Sequence, residues 1–505
     1  MITGYHSMEN NRSGPIPRPF YFNIVFWGER FRNYLLSYCI PSLLAPGNLP
    51  CLSNKIQNKF LLCCPQEDWD ALQGVPIFLA CKQHIAPVHI AIPYPEPDTP
   101  SCIHMGIGHT AATEMAFRDK AYFVALTPDL IVSDGVFRTV EQHARNGAPI
   151  VYTVALRFSE EHLFKAMRRE GLLDDNAPLA TTAKPLVANG RQLVRVGLES
   201  FHSETLRYEW AAPYYSESPV ATFWRVPNHD GCIIYSFSWA PLLLDYGTIT
   251  AHNTETFKNW TFDGDYVYKN FNTPKKIVAI QDSDEAMLVS WAPWADKFLS
   301  LEPRHTSKIK LINNLKKSFY LYKIYYSKTM DPLKRHLFNI PVYWHADDYG
   351  SAYIALTKRT KYEILLYRIF NKYIYCHLVT VLSWLLCMAS LGKRFFVAAP
   401  NQVLRIILQR VRRYLPLGRL RQLRERLRHE RSLVAQHVTS IRPKEHGPFL
   451  LGKPYICNLF NWDEHILVCK LLLRSFLGHA NANTLLKIRT SRVAVGLHNF
   501  IQKIK

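Results

Sequence analysis

The sequence predicts an α/β fold, a mostly parallel sheet with helices on both faces, followed by a basic, mainly helical C-terminal region. Three observations carry that prediction. Short apolar runs alternate with helical stretches at βαβ spacing, and several runs are apolar throughout, as strands covered on both faces must be. The chain has 505 residues, too many for one core. Its formal charge of +21 comes from the part after residue 300, while the first 300 residues are close to balanced.

Taken in order, residues 1–19 are polar and contain proline, and they read as a flexible N-terminal segment. Residues 20–300 then form one domain. Tyr21 to Trp27 is a β-rich run closed by Gly28, and Glu29 to Leu44 follows as a helix. Lys59 to Cys64 is the second strand, with a helical stretch from Glu67 to Gln73 behind it. Pro87 to Ile92 is the third and ends in the loop PYPEPDTP. Ala121 to Leu126 is the fourth; Pro149 to Leu156 is the fifth, after a helix near Phe137 to Asn146. Ligands of such sheets sit outside the carboxyl ends of the strands, which directs attention to the loops after Trp27, Ile92, Leu126 and Leu156. From about 190 to 300 the runs are shorter and rich in Trp, Pro and acids, a less regular second half of the same domain.

Met105 to Gly135 is the most informative block. Gly106 and Gly108 are expected to precede a helix that Thr110 can cap, where backbone N–H groups can approach a phosphate or a neighbouring strand. The helix leads through Asp119-Lys120 into the fourth strand, whose end delivers Thr127-Pro128-Asp129. A carboxylate at a strand mouth can hold a divalent cation and, through it, a diphosphate; Pro-Asp after a strand is equally an ordinary turn. This order resembles that of the GT-A nucleotide-sugar glycosyltransferases, in which a helix beside the nucleotide leads into a strand ending in an Asp-x-Asp metal motif. The resemblance covers roughly residues 20 to 300. It implies a GT-A-like domain that moves a sugar from a nucleoside-diphosphate donor to a glycan or lipid-linked acceptor, with Mg or Mn as the cation. On it, Gly106, Gly108, Thr127 and Asp129 bind donor, and Asp129 is a metal ligand. Thr127 stands where the family has its first Asp, which favours the alternative of a non-catalytic GT-A-like binding or scaffold protein.

Other clusters complete the candidate site. Asp263-Gly264-Asp265 is a second Asp-x-Asp whose carboxylates can face one cation or an acceptor sugar, or simply make a turn. Asp284 and Glu285, in the acidic run after the strand Ile277 to Ile280, are candidates for the base that deprotonates an acceptor hydroxyl, or for a solvated helix start. His202, Glu204 and Arg207, with Trp239, suit an acceptor site of hydrogen bonds and aromatic faces; a buried aromatic cluster is the plainer reading. No Gly-x-Ser-x-Gly, P-loop or His-Glu-x-x-His motif is present, which excludes the common hydrolase, NTPase and zinc-protease classes.

Residues 301–505 form the basic, mainly helical region. Tyr373 to Leu391 is uncharged and about as long as a bilayer core, but His377, Thr380 and Ser383 suit a buried or in-plane helix as well as a span. Arg405 to Arg431 mixes Leu, Ile and Val with dense arginine, and no acidic residue occurs between Glu363 and Glu425. An anionic membrane surface met through 373–431 is the expected partner; without a recognition motif or interleaved aromatics, nucleic acid is not. The N-terminus has no apolar secretory run and the cysteines no metal spacing, so a cytoplasmic protein, peripheral at the inner face of the membrane, is expected.

Overall fold

In the computed structural model, which describes residues 18–364 apart from 272–276, 297–298, 300, 303–309 and 328–329, the first strand sets the plan of the fold. This strand, β1 (Phe20–Val25), is buried along its length, and its side chains divide by parity between two cores. Phe20, Phe22 and Ile24 pack with Leu35, Leu36, Ile40 and Leu43 of the following helical segment. Tyr21 and Val25 pack on the opposite face with Ala112 and Ala116 of the helix Ser101–Arg118.

The strands after it are β2 (Lys59–Cys64), β3 (Ala86–Ala91), β4 (Tyr122–Leu126), β5 (Leu130–Val132), β6 (Ile150–Thr153) and β7 (Arg157–Ser159). Then come β8 (Ala221–Arg225), β9 (Gly231–Ser236), β10 (Ala240–Asp245), β11 (Ile277–Ala279), β12 (Leu288–Ala292) and β13 (Val342–His345). The central sheet runs β11-β6-β10-β4-β1-β2-β3. It is parallel except for β10, which pairs antiparallel with both β4 and β6. Pro241, which has no N–H for the ladder, sits where the β10–β6 register shifts. Two three-stranded sheets flank it, β5-β12-β7 and β13-β9-β8.

From β1 the chain moves outward to β2 and β3, then returns to place β4 on the other side of β1. The helical segment from Gly28 to Leu43 covers one face and the Ser101–Arg118 helix the other. The strand order reverses between β1 and β4, the chain leaving β1 toward β2 and leaving β4 toward β6, so their carboxyl ends form a topological switch point, the place where open α/β sheets hold ligands.

The expected strands recur with small shifts of their ends, and Lys59–Cys64 recurs residue for residue. The helix expected after Gly106 and Gly108 begins earlier, at Ser101, directly after the proline-rich loop. The long helix after β1 has a π-helical turn at Leu35–Cys39, just before Pro41 withdraws a donor from the ladder. The folded unit also continues past residue 300. β13 pairs with β9, and Leu321, Phe338, Tyr353 and Leu356 share a core with Trp224 and Tyr235. The chain divides into two compact units, Met1–Leu391 and Gly392–Lys505, and all described residues belong to the first. The segments 373–391 and 405–431 lie outside the described residues, as does nearly all of 1–19. No described helix is long and apolar enough to cross a membrane.

Candidate functional site

The loop after β1 turns at Gly28, whose φ of +80 lies in the left-handed region that glycine adopts without strain. Its N–H donates to Asp68 Oδ2 at 2.8 Å, and Arg32 holds Asp68 Oδ1 at 2.5 Å. Tyr94, from the loop after β3, donates to the same carboxylate at 3.2 Å. Asp68 is fully buried and follows β2, so one carboxylate ties together the loops after β1, β2 and β3. Trp27 packs edge-on against His104, with centroids 4.7 Å apart.

On the other side of the switch point, Thr127-Pro128-Asp129 joins β4 to β5. The Thr127 carbonyl accepts a weak bond from Cys39 Sγ at 3.6 Å, which fixes the loop to the helical segment behind β1. Asp129 is partly exposed, and Ser290 Oγ on β12 donates to its Oδ2 at 3.4 Å. Among the described residues it has no ion-pair partner. That distinguishes it from Asp68 with Arg32, Asp245 with Arg18, Asp265 with Lys269 and Asp284 with Arg191.

The remaining candidates are placed differently from expectation. Gly106 and Gly108 lie inside the helix, where the N–H groups serve the helix ladder, so neither is a phosphate cradle. A Cβ on Gly106 would come within 1.9 Å of the Phe257 carbonyl, and one on Gly108 within 2.8 Å of both Cys63 and Val25 side chains. They are small because the helix lies against the sheet and the turn at 255–258, not because a ligand approaches. Asp265 is already engaged. Thr256 donates to it at 2.6 Å and Lys269 pairs with it at 3.0 Å. Burial alone would push the Asp265 carboxyl up, but those bonds outweigh it and hold it below the ordinary range. Asp263 bonds to Thr261 and lines a small pocket beside Trp239 and Lys334, with room for about one water.

The expected acceptor residues are part of the core. His202 is buried; its Nδ1 accepts from the Glu204 N–H at 3.2 Å, capping the short helix Ser203–Leu206, and its Nε2 donates to the Pro293 carbonyl at 3.1 Å. Glu204 accepts from the Tyr208 hydroxyl, Arg207 donates to the Tyr214 carbonyl, and Trp239 donates to the Ser236 carbonyl at 2.9 Å. Buried polar groups of this kind are satisfied by the fold itself.

After β11, Asp282, Asp284 and His345 place one ligand atom each within 4.8 Å of one another, and no other such group of three occurs among the described residues. The chemistry fits a divalent cation, but each group is already engaged. Asp282 Oδ1 accepts from His345 Nε2 and from the Asp284 N–H, both at 2.8 Å. Arg191 holds Asp284 through three contacts of 3.1 to 3.2 Å and also reaches Asp348. Burial would raise the Asp282 carboxyl, yet the His345 and backbone bonds hold it low; burial would lower the His345 imidazole, yet Asp282 holds it high. Glu285 is pushed up by burial and by the charge of Asp282. Asp284 is engaged by Arg191.

Sequence reasoning missed Asp68, Ser290, Arg191 and His345, and also an open cleft of about 560 Å³ lined by Arg30, Tyr34, Glu160, Phe164 and Arg168. The signal for Asp68 was available, an acid four residues after a parallel strand, in the first turn of the helix Gln66–Leu72. Glu160 follows the flagged loop after Leu156 directly.

No family model matches the chain, and no curated protein does. Among solved structures, TarS of S. aureus is similar over 36% of this chain and 34% of its own, at 7% identity and a TM-score of 0.19. A putative glucose-1-phosphate thymidylyltransferase from Bacillus anthracis, solved in complex with a sucrose, is similar over 28% of this chain and 57% of its own. The identity there is 10% and the TM-score 0.18. The chain thus spans well under two thirds of either protein, and likenesses this faint carry no argument about the site.

Proposed function

We propose that the domain is a nucleotide-sugar-dependent glycosyltransferase of GT-A-like fold, with the donor diphosphate in the crevice between β1 and β4. The observation that supports this most is Asp129: a partly exposed carboxylate at the switch point, delivered by a parallel strand and left without a counter-ion. The order that carried the resemblance, a helix on the sheet leading into a strand that ends in this acid, is also the order of the fold. A charged group kept partly out of water without a partner costs stability, and a bound cation offsets that cost.

Asp129 fits Mg or Mn as a single-carboxylate ligand, since Mg commonly takes one or two carboxylates and completes its shell with phosphate oxygens and water. The bound cation supplies charge neutralisation for the departing nucleoside diphosphate. The residues of the chain do the rest. Ser290 orients Asp129, Cys39 and Thr127 fix the loop, and Asp68 sets the facing loop after β1. In the transfer, the bond from the anomeric carbon to the diphosphate oxygen breaks, the acceptor hydroxyl oxygen bonds to that carbon, and its proton passes to a base.

Thr127 in the first acidic position supports the second reading, a non-catalytic GT-A-like scaffold. Calorimetry with uridine and guanosine diphosphates, with and without manganese, separates them. Metal-dependent binding lost in Asp129→Ala supports the transferase; no binding of either nucleotide supports the scaffold. Cytoplasmic residence and contact of 373–431 with an anionic membrane belong to the same proposal, and flotation with anionic liposomes tests the contact.

A further inference from the structure

The open cleft beside the switch point has a chemistry of its own. It lies between the helix that follows β1, which supplies Arg30, Asn33 and Tyr34, and the helix Glu160–Arg169, which supplies Glu160, Phe164 and Arg168. Its volume, about 560 Å³, is that of an ordinary small-molecule site. β12 borders both the cleft and Asp129, through neighbouring residues that point to opposite faces of the strand. Ser290 bonds to that acid, and the next residue, Trp291, packs edge-on against Tyr34 and Phe164 with centroids 5.4 and 5.1 Å apart. The buried Trp291 indole N–H has no hydrogen-bond partner among the described residues.

The cleft has no excess of positive charge: Arg30 and Arg168 stand among Glu160, Glu161, Asp175 and Asp296. Arg30 lies 3.8 Å from Glu160 and 3.7 Å from Asp296, and Arg168 pairs with Asp175 at 2.7 Å. Tyr34 accepts from Arg30 at 3.0 Å and donates to Glu160 at 2.6 Å. The exposed Asn33 amide has no partner among the described residues. Two arginines matched by carboxylates leave no net positive field for a phosphate. What they offer is a dense set of planar donors and acceptors over an aromatic base, which suits hydroxyl groups and sugar-ring C–H faces.

We propose that this cleft is the acceptor subsite and that the acceptor is a neutral carbohydrate, not a phosphorylated lipid carrier; the inference rests on the transferase reading of the switch point. The helix that starts at Gly28, at the end of the loop after β1, supplies the cleft with Arg30, Asn33 and Tyr34, so the cleft and the donor end of the sheet share one element.

Saturation-transfer NMR on the full chain tests it, with maltose, cellobiose and lactose as neutral probes and glucose 1-phosphate as the anionic one. At least one neutral disaccharide is expected to receive saturation, glucose 1-phosphate none. Asn33→Trp fills the cleft from an exposed position, and Glu160→Gln removes a charge at constant shape. Each is expected to weaken disaccharide binding at least tenfold while manganese-dependent uridine or guanosine diphosphate binding stays within twofold. If the nucleotide binds and no neutral disaccharide does, or if the anionic probe is preferred, the acceptor assignment is overturned and the transferase reading stands. Disaccharide binding that both variants abolish, in a protein that binds neither nucleotide, keeps the cleft as a carbohydrate site and overturns the transferase reading instead.

Discussion

Two acidic regions lie along the carboxyl edge of the same sheet and are built in opposite ways. Around Asp282 the acids are engaged: His345 and a backbone N–H hold Asp282, Arg191 holds Asp284, and the loop after β11 is laced to β13. Around Asp129 a long bond from Ser290 is the only hydrogen bond to the carboxylate among the described residues. The first arrangement stabilises the fold, and the second leaves coordination capacity for something else. Proximity of acids is therefore a weaker guide to a cation than the absence of competing partners.

The largest effect is expected where a buried charge is removed. Asp68→Ala leaves Arg32 and the Gly28 N–H without their partner, and a loss of about 3–5 kcal/mol in urea unfolding is expected. A loss under 1 kcal/mol would show that the three loops are not held by that carboxylate. Gly106→Ala comes next. Its Cβ meets the backbone carbonyl of Phe257, so overpacking should cost about 1–3 kcal/mol without altering any ligand contact. A neutral result in thermal unfolding would contradict the close approach of the helix to that turn.

The saturated region should also show itself in pH dependence. His345 is held above its ordinary value, so its contribution is fully present below the unfolded imidazole pKa and is lost as pH rises through the raised folded value. Asp282 is held below its ordinary value, so its contribution is present above the unfolded carboxyl pKa and is lost as pH falls through the lowered one. Stability from this pair therefore peaks in the weakly acidic to neutral range, and Asp282→Asn should flatten the profile of unfolding free energy against pH. An unchanged profile would remove the pair from the account. The smallest stability effect belongs to Asp129→Asn, within about 0.5 kcal/mol, because no counter-ion is left unpaired.

Much of the sheet was legible because β1, β2 and β4 are apolar runs buried on both faces, so composition places each to within a residue or two at its ends. Asp129 was legible for the same reason, since the end of a buried parallel strand is a defined place. For Gly106 and Gly108 the sequence admits both a ligand and a neighbouring element, and the close approach of Phe257 to the first and of Cys63 and Val25 to the second is set by packing. The pairing of β10 between β4 and β6 was not legible, nor was the meeting of Asp282 with His345, 63 residues apart. Such contacts are set by tertiary packing and leave no local period. The boundary expected at residue 300 came from a change in charge, which does not register that β13 completes a sheet with β9.

The difference between the two acidic regions is tested most directly by electron paramagnetic resonance of free manganese during titration with protein, in the presence of whichever of uridine or guanosine diphosphate the chain binds. Wild type and Asp284→Asn should both deplete the free-ion signal, and Asp129→Asn should leave it at least tenfold less depleted at equal protein concentration. Loss of manganese binding in Asp284→Asn with full binding in Asp129→Asn would contradict the account and move the cation to the region around Asp282.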